Sequence, residues 1–152
     1  MKIFIATDHR GYQLKEKIKQ WLSEWNYEFE DFGAHQLDSN DDYPDFIHLA
    51  AQAVSQDPQN SKGIILGGSG QGEAMVANKY KGVRAAVYYG GPKDIINLSR
   101  EHNDANVLAL GASFLDEEST KKAVKFWLET PFSQDERHLR RISKIKAIEE
   151  TL

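Results

Sequence analysis

The feature that most constrains this chain is a repeated alternation of short apolar runs with longer stretches in which apolar residues recur at helical spacing. Residues 2–7 form the first run, and Leu14, Ile18, Trp21, Leu22 and Trp25 follow at steps of four, three, one and three. A continuous apolar run suits a strand buried on both faces, whereas steps of three and four place side chains on one face of a helix. The order then repeats, with strands expected at Tyr27 to Phe32, Lys62 to Leu66, Arg84 to Tyr89 and Asn106 to Leu110. Helices are expected at Phe46 to Val54, Glu73 to Tyr80 and Pro92 to about His102. A further helix starts near Asp116, carries Ala123, Val124, Trp127 and Leu128, and stops at Thr130-Pro131.

Strands joined by helical crossovers pair in parallel, and right-handed crossovers put helices on both faces. The expected fold class is therefore α/β: a three-layer α/β/α sandwich around a five-stranded parallel, Rossmann-like sheet. An extra C-terminal helix follows. Its residues Leu139, Ile142, Ile145 and Ile148 lie three apart beside Arg137, Arg140, Arg141, Lys144 and Lys146, and this basic amphipathic helix needs an apolar surface to lie on. A chain of 152 residues is one ordinary domain, so residues 1–152 are read as a single unit with a helical tail over about 135–152.

Charge and cysteine content exclude several functions. Nineteen Lys and Arg against 23 Asp and Glu give a net charge of −4, so neither nucleic acid nor an anionic membrane is an expected partner. Any anion must be captured locally. The absence of cysteine removes disulfides, thiolate nucleophiles, zinc ribbons and iron–sulfur clusters, and it fits a reducing compartment. The run Ile3 to Ala6 gives way at once to Thr7-Asp8-His9-Arg10, too short for a signal-peptide core or a membrane span. The expectation is a soluble, cytoplasmic protein.

In parallel sheets, ligands bind beyond the carboxyl ends of the strands. The glycine-rich segment Gly67-Gly68-Ser69-Gly70-Gln71-Gly72-Glu73 occupies such a position, between a buried strand and a helix, where free amides and the helix dipole form an anion cradle. A nucleotide phosphate loop would need Lys and Ser or Thr where Glu73 and Ala74 stand. A dinucleotide fingerprint would need Gly or Ala at Glu73, and a serine-hydrolase elbow would need Gly at Gln71. What remains is either a tight turn alone or an amide cradle beside a carboxylate base. The second arrangement suits proton abstraction next to the carbonyl of a small sugar phosphate.

Other segments carry weaker signals. Asp8-His9-Arg10-Gly11 gathers an acid, an imidazole and a cation at the end of the first strand, although Asp also caps helices. His102 in Arg100-Glu101-His102-Asn103-Asp104 is read either as a site residue or as a favourable cation at a helix C-terminus. Arg137 and Arg141 share one helix face, shaped to grip a phosphate dianion or simply solvated, and Arg140 falls on another. Asp38 to Asp42 fails as a calcium loop, with Tyr43 in place of Gly and Leu49 in place of Glu, and is read as a solvated loop. His35 and His48 have no partner pattern and HExxH is absent, so no metal and no cofactor are expected.

Taken together, Asp8 to Tyr12, Asp31-Phe32-Gly33, Asp42-Tyr43-Pro44-Asp45, the Gly67 to Glu73 loop with Ala77-Asn78-Lys79, Gly82 to Ala85, Arg100 to Asn106, and Arg137-His138 with Arg140-Arg141 resemble the ribose-5-phosphate isomerase B family. That family includes galactose-6-phosphate and allose-6-phosphate isomerases. The resemblance implies metal-independent aldose–ketose isomerisation of a sugar phosphate by a homodimer or dimer of dimers with active sites between subunits. It implies Glu73 as the base working through a cis-enediolate, with Ser69 and the loop amides of Gly70 and Gly72 binding the oxyanion and Gly68 among the substrate-binding residues. Asp8 and His102 would open the furanose ring, Asn103 would hold a substrate oxygen, and His9, Arg137 and Arg141 would bind phosphate. His102 and Asn103 would come from the partner subunit.

One branch of the family uses a cysteine base at the position of Gly67, and this chain resembles the other branch, which places a glutamate where Glu73 stands. The chain departs at Ser113, where relatives often carry a phosphate-binding arginine, and in Tyr88 to Pro92. Losing such a charge-assisted contact weakens phosphate binding by roughly 1.5–3 kcal/mol or signals another sugar phosphate. Ribose 5-phosphate is the expected substrate. A hexose 6-phosphate of the allose or galactose type, or a non-catalytic phosphosugar-binding subunit, are the alternatives.

Overall fold

The computed structural model describes residues 1–152. Strands β1 (Lys2–Thr7), β2 (Glu28–Asp31), β3 (Ser61–Gly67), β4 (Ala85–Tyr88) and β5 (Val107–Gly111) form one sheet in the order β2-β1-β3-β5-β4, with every pairing parallel. The helices are α1 (Tyr12–Glu24), α2 (Pro44–Gln56), α3 (Gln71–Ala77), α4 (Lys93–Glu101), α5 (Glu117–Glu129) and α6 (Glu136–Glu149). Short 3-10 turns at His9–Gly11 and Ala112–Phe114 follow β1 and β5. The three-layer sandwich expected from the sequence is the observed architecture.

The alternation of side chains along each central strand feeds two separate cores. Ile64 and Leu66 of β3, with Leu108 and Leu110 of β5, pack against Ile18, Trp21, Ile96, Val124 and Trp127 from α1, α4 and α5. Ile65, Val107 and Ala109 point the other way, against Ile47, Ala50, Ala51, Val54, Ala74 and Ala77 from α2 and α3. Edge strand β2 has only four residues, alternately exposed and half-buried, which is why its sequence signal is the faintest.

One boundary is corrected. Helix α3 ends at Ala77 rather than Tyr80, because the Asn78 side chain leaves the helix to accept the Ala85 amide at 2.8 Å and donate to the Ala85 carbonyl at 3.2 Å. Helix α6 does not bury its apolar stripe on its own chain. Leu139, Ile145 and Ile148 are exposed, and His138 is the buried residue of the helix. The far end of α6 is tied down by Glu149, whose carboxylate accepts the Gly82 amide at 2.9 Å.

Strand order reverses between β1 and β3, the topological switch point at which open α/β sheets bind ligands. These two strands are neighbours in register, Thr7 opposite Leu66, so the segments that follow them emerge side by side.

Candidate active site

Asp8 leaves β1 and caps the short turn after it, its carboxylate accepting the Arg10 amide at 2.9 Å. Across from it, the chain leaves β3 at Gly67 and turns at Gly70, which holds a φ of 78° and lies so close to β5 that a Cβ would come within 3.0 Å of the Ala109 carbonyl oxygen. Only glycine adopts that conformation without strain. The turn delivers Glu73 into the first turn of α3 and folds its carboxylate back over Gly67. A Cβ placed on Gly67 would collide with the Glu73 carboxylate, so position 67 must be bare for Glu73 to sit where it does.

Glu73 is 4% exposed. Burial pushes its carboxyl up from the ordinary glutamate value, and the negative charge of Asp8 adds to the rise. The amides of Glu73 itself and of Gly70 offset part of it. A carboxylate that holds its proton more tightly than usual and faces a cleft can exchange that proton with a group bound there.

That cleft has a volume of about 420 Å³ and is lined by Asp8, Arg10, Tyr43, Gly68, Ser69, Gly72, Glu73, Ser113 and Phe114. The structure thus brings Asp8, Gly68, Ser69, Gly72 and Glu73 of the sequence-predicted set together, with Gly70 as the bend behind them. Ser69 Oγ accepts the Gln71 amide at 3.3 Å, and the Ser113 amide donates to the Gly68 carbonyl at 3.0 Å, which joins this loop to the end of β5.

His9 turns to the side, its Nδ1 2.6 Å from Asp41 Oδ1, and its amide donates to the same oxygen at 3.0 Å. The Asp38 to Asp42 stretch is therefore not a wholly solvated loop. The Asp41 side chain is 8% exposed, with its Oδ1 against His9 and its Oδ2 buried without a hydrogen-bond partner. Asp8, His9 and Asp41 form the one group of three in the chain whose ligand atoms all lie within 4.8 Å of one another. Asp41 Oδ1 takes His9, and Asp8 takes the Arg10 amide.

His102 and Asn103 stand elsewhere. They follow α4 and precede β5, at the amino-terminal edge of the sheet, whereas Glu73 follows the carboxyl end of β3. The five residues of β5 span roughly 16 Å at about 3.3 Å each, which separates the two groups within one chain. The His102 ring stacks on His138 with centroids 4.1 Å apart and an interplanar angle of 19°. Burial first, then the charge of His102, hold the His138 imidazole below its ordinary value. Arg137 and Arg141 are exposed on α6, on the same side of the molecule as His138.

Sequence reasoning did not single out Asp41, Tyr43 or His138 as site-forming. For His138 a signal existed, since it precedes the half-buried Ile142 by four, one turn along the same face of α6. For Asp41 none did, because its partner lies 32 residues away.

The chain matches the model of a family described as Ribose/Galactose Isomerase over residues 3–145. It is 38% identical over 151 residues to ribose-5-phosphate isomerase B of Mycobacterium tuberculosis, covering 99% of this chain and 91% of that protein. It is 41% identical over 143 residues to a probable ribose-5-phosphate isomerase B of Mycoplasma genitalium, with 94% and 92% covered. Its fold superimposes with a TM-score of 0.95 on the crystal structure of ribose-5-phosphate isomerase B from Mycoplasma genitalium with bound ribulose-5-phosphate, at 39% identity and 99% and 97% coverage. The structure of ribose-5-phosphate isomerase B from Clostridium thermocellum gives a TM-score of 0.91 at 41% identity, with 99% of each chain covered.

Proposed function

Since the chain belongs to the ribose/galactose isomerase family, we propose that it interconverts ribose 5-phosphate and ribulose 5-phosphate with Glu73 as the base. The observation that carries the residue assignment is the buried Glu73 carboxylate, its proton affinity raised, facing the same cleft as Asp8 and the Gly68–Gly72 loop. Starting from the aldose, Asp8 assists opening of the furanose ring. Glu73 then takes the proton from C2, and the C–H electron pair forms the C1–C2 double bond while negative charge moves onto the carbonyl oxygen. Ser69 and the amides of Gly70 and Gly72 stabilise that cis-enediolate; the proton of the C2 hydroxyl passes to O1 and Glu73 returns its proton to C1, which leaves the carbonyl at C2.

Asn103 holds a substrate oxygen, His102 assists ring opening, and His9, Arg137 and Arg141 bind phosphate in this reading. His102, Asn103, Arg137 and Arg141 reach the cleft from a second subunit, because the sheet separates them from Glu73 in their own chain. A homodimer, alone or paired into a tetramer, supplies them, and the exposed Leu139, Ile145 and Ile148 of α6 give such an assembly apolar surface to bury. We place the enzyme in the cytoplasm as a single 1–152 unit working without metal or cofactor. No helix is long and apolar enough to cross a membrane.

Formation of ribulose 5-phosphate from ribose 5-phosphate, followed by NMR, tests the assignment. The uncharged Ser113 at the cleft favours one second reading, a hexose 6-phosphate substrate, and kcat/KM on ribose, allose and galactose phosphates ranks the two. The highest value belongs to the ribose ester.

Two further results are expected. Gly67→Ala puts a methyl group on the Glu73 carboxylate, and displacing a reacting group by about 1 Å costs on the order of 10²-fold, so kcat falls by that factor in a protein that still folds. The acid limb of the kcat/KM–pH profile lies above the ordinary glutamate value, since the base must be ionised and its carboxyl is pushed up. Asp8→Asn removes one source of that rise, so the residual activity of the variant shows the acid limb moved to lower pH. An unmoved limb assigns it to another group.

A further inference from the structure

Resting on the sugar-phosphate reading above, we propose that Arg10, steered by Ser113, is a further residue of the Glu73-bearing subunit that grips the phosphate group of the substrate, in addition to His9. The cleft holds two carboxylates, Asp8 and Glu73, and a phosphate dianion entering it meets like charge from both. Among the residues that line the cleft, Arg10 is the one cation. Its guanidinium Cζ and Nε lie 3.6 Å from the place a Cβ on Gly68 would take, so it stands over the glycine loop rather than pointing away from it.

Arg10 forms no salt bridge within the chain. Its one side-chain hydrogen bond runs from Nη2 to the Ser113 hydroxyl at 3.1 Å. Ser113 is neutral, so it fixes the direction of the guanidinium without cancelling its charge, and the remaining donors form a planar fork suited to two phosphate oxygens. The other cations are placed differently. His9 is bound to Asp41, and Arg137 and Arg141 lie on α6 near the opposite edge of the sheet. A lysine or arginine at position 113 would compete with Arg10 for the same space and charge, and the hydroxyl there leaves the role to Arg10.

Arg10 is exposed, so its replacement leaves the fold intact, and melting curves verify this. In steady-state kinetics with ribose 5-phosphate, Arg10→Ala and Arg10→Gln are expected to raise KM by about 10- to 100-fold, the loss of one charge-assisted contact, with kcat within a few-fold of the parent. Calorimetric titration with inorganic phosphate reads the same contact without turnover and is expected to weaken at least 10-fold. Moving the cation in the Arg10→Ala, Ser113→Arg double variant is expected to restore phosphate binding and most of KM, which a merely structural Arg10 would not produce. Parent-like KM and phosphate affinity in Arg10→Ala overturn the proposal while leaving the isomerase assignment standing. Phosphate binding that depends on Arg10 in a protein that fails to turn over ribose 5-phosphate overturns the assignment instead.

Discussion

Glu73→Gln is expected to lower kcat by at least ~10³-fold, within the 10² to 10⁴ that a positioned base contributes, and to leave the protein folded. The amide matches the carboxylate in shape but cannot accept the substrate's carbon-bound proton, so ring opening and binding persist while isomerisation stops. Stability moves the other way. A carboxyl whose folded-state proton affinity is raised favours its neutral form in the fold, so its ionised form lowers stability above the unfolded-state value. A neutral glutamine at this 4% exposed position therefore leaves the melting temperature at or above that of the parent. Steady-state kinetics and a thermal melt on one preparation check both statements.

Lys15→Met is the substitution expected to damage the fold most. Lys15 lies on α1 with its side chain fully buried, and its Nζ donates to both oxygens of Asp31 at 2.7 and 2.8 Å and to the Ala34 carbonyl at 2.6 Å. Burial pushes the Asp31 carboxyl up, but hydrogen bonds from Lys15, Lys19 and the Gly33 amide outweigh it, and the group is held below the ordinary aspartate value. The stability it contributes is present above that ordinary value and is lost as pH falls through the lower, folded-state one. The cluster also reaches the site, because Gly33 and Ala34 bond Thr7, the residue before Asp8, through its amide and carbonyl at 2.7 Å each. Removing one partner of a buried pair costs about 3–5 kcal/mol, so chemical denaturation should show that loss. The melting temperature should fall by about 2–4 °C for each kcal/mol. Lys19→Met, at a partly exposed position that also bonds Asp31, should cost roughly 1 kcal/mol or less.

The sheet was legible because β1, β3 and β5 are buried on both faces and read as unbroken apolar runs. β3 and β5 extend beyond their expected cores only by Ser61, Gly67 and Gly111, small residues that carry little pattern. The Gly67 to Glu73 loop was legible because its chemistry is local: glycines for the bend and a carboxylate at the end of it. Asp41 was not, since a loop aspartate becomes a buried partner of His9 only through tertiary contact. The separation of His102 from Glu73 was implied by the family resemblance and not by residue spacing, because it depends on which end of the sheet each segment joins. The fate of the α6 stripe was not legible either, since it carries the periodicity of a packed helix yet leaves Leu139, Ile145 and Ile148 uncovered by its own chain.

The central claim is that Glu73 carries a proton between two carbons of a phosphorylated sugar. Incubation of the parent protein and of Glu73→Gln with ribose 5-phosphate in D₂O, with ¹H NMR of the recovered sugars, reads that transfer directly. The account predicts deuterium at C1 of ribulose 5-phosphate and C2 of ribose 5-phosphate with the parent protein and none above background with the variant. Equal deuterium incorporation by the two proteins would contradict it.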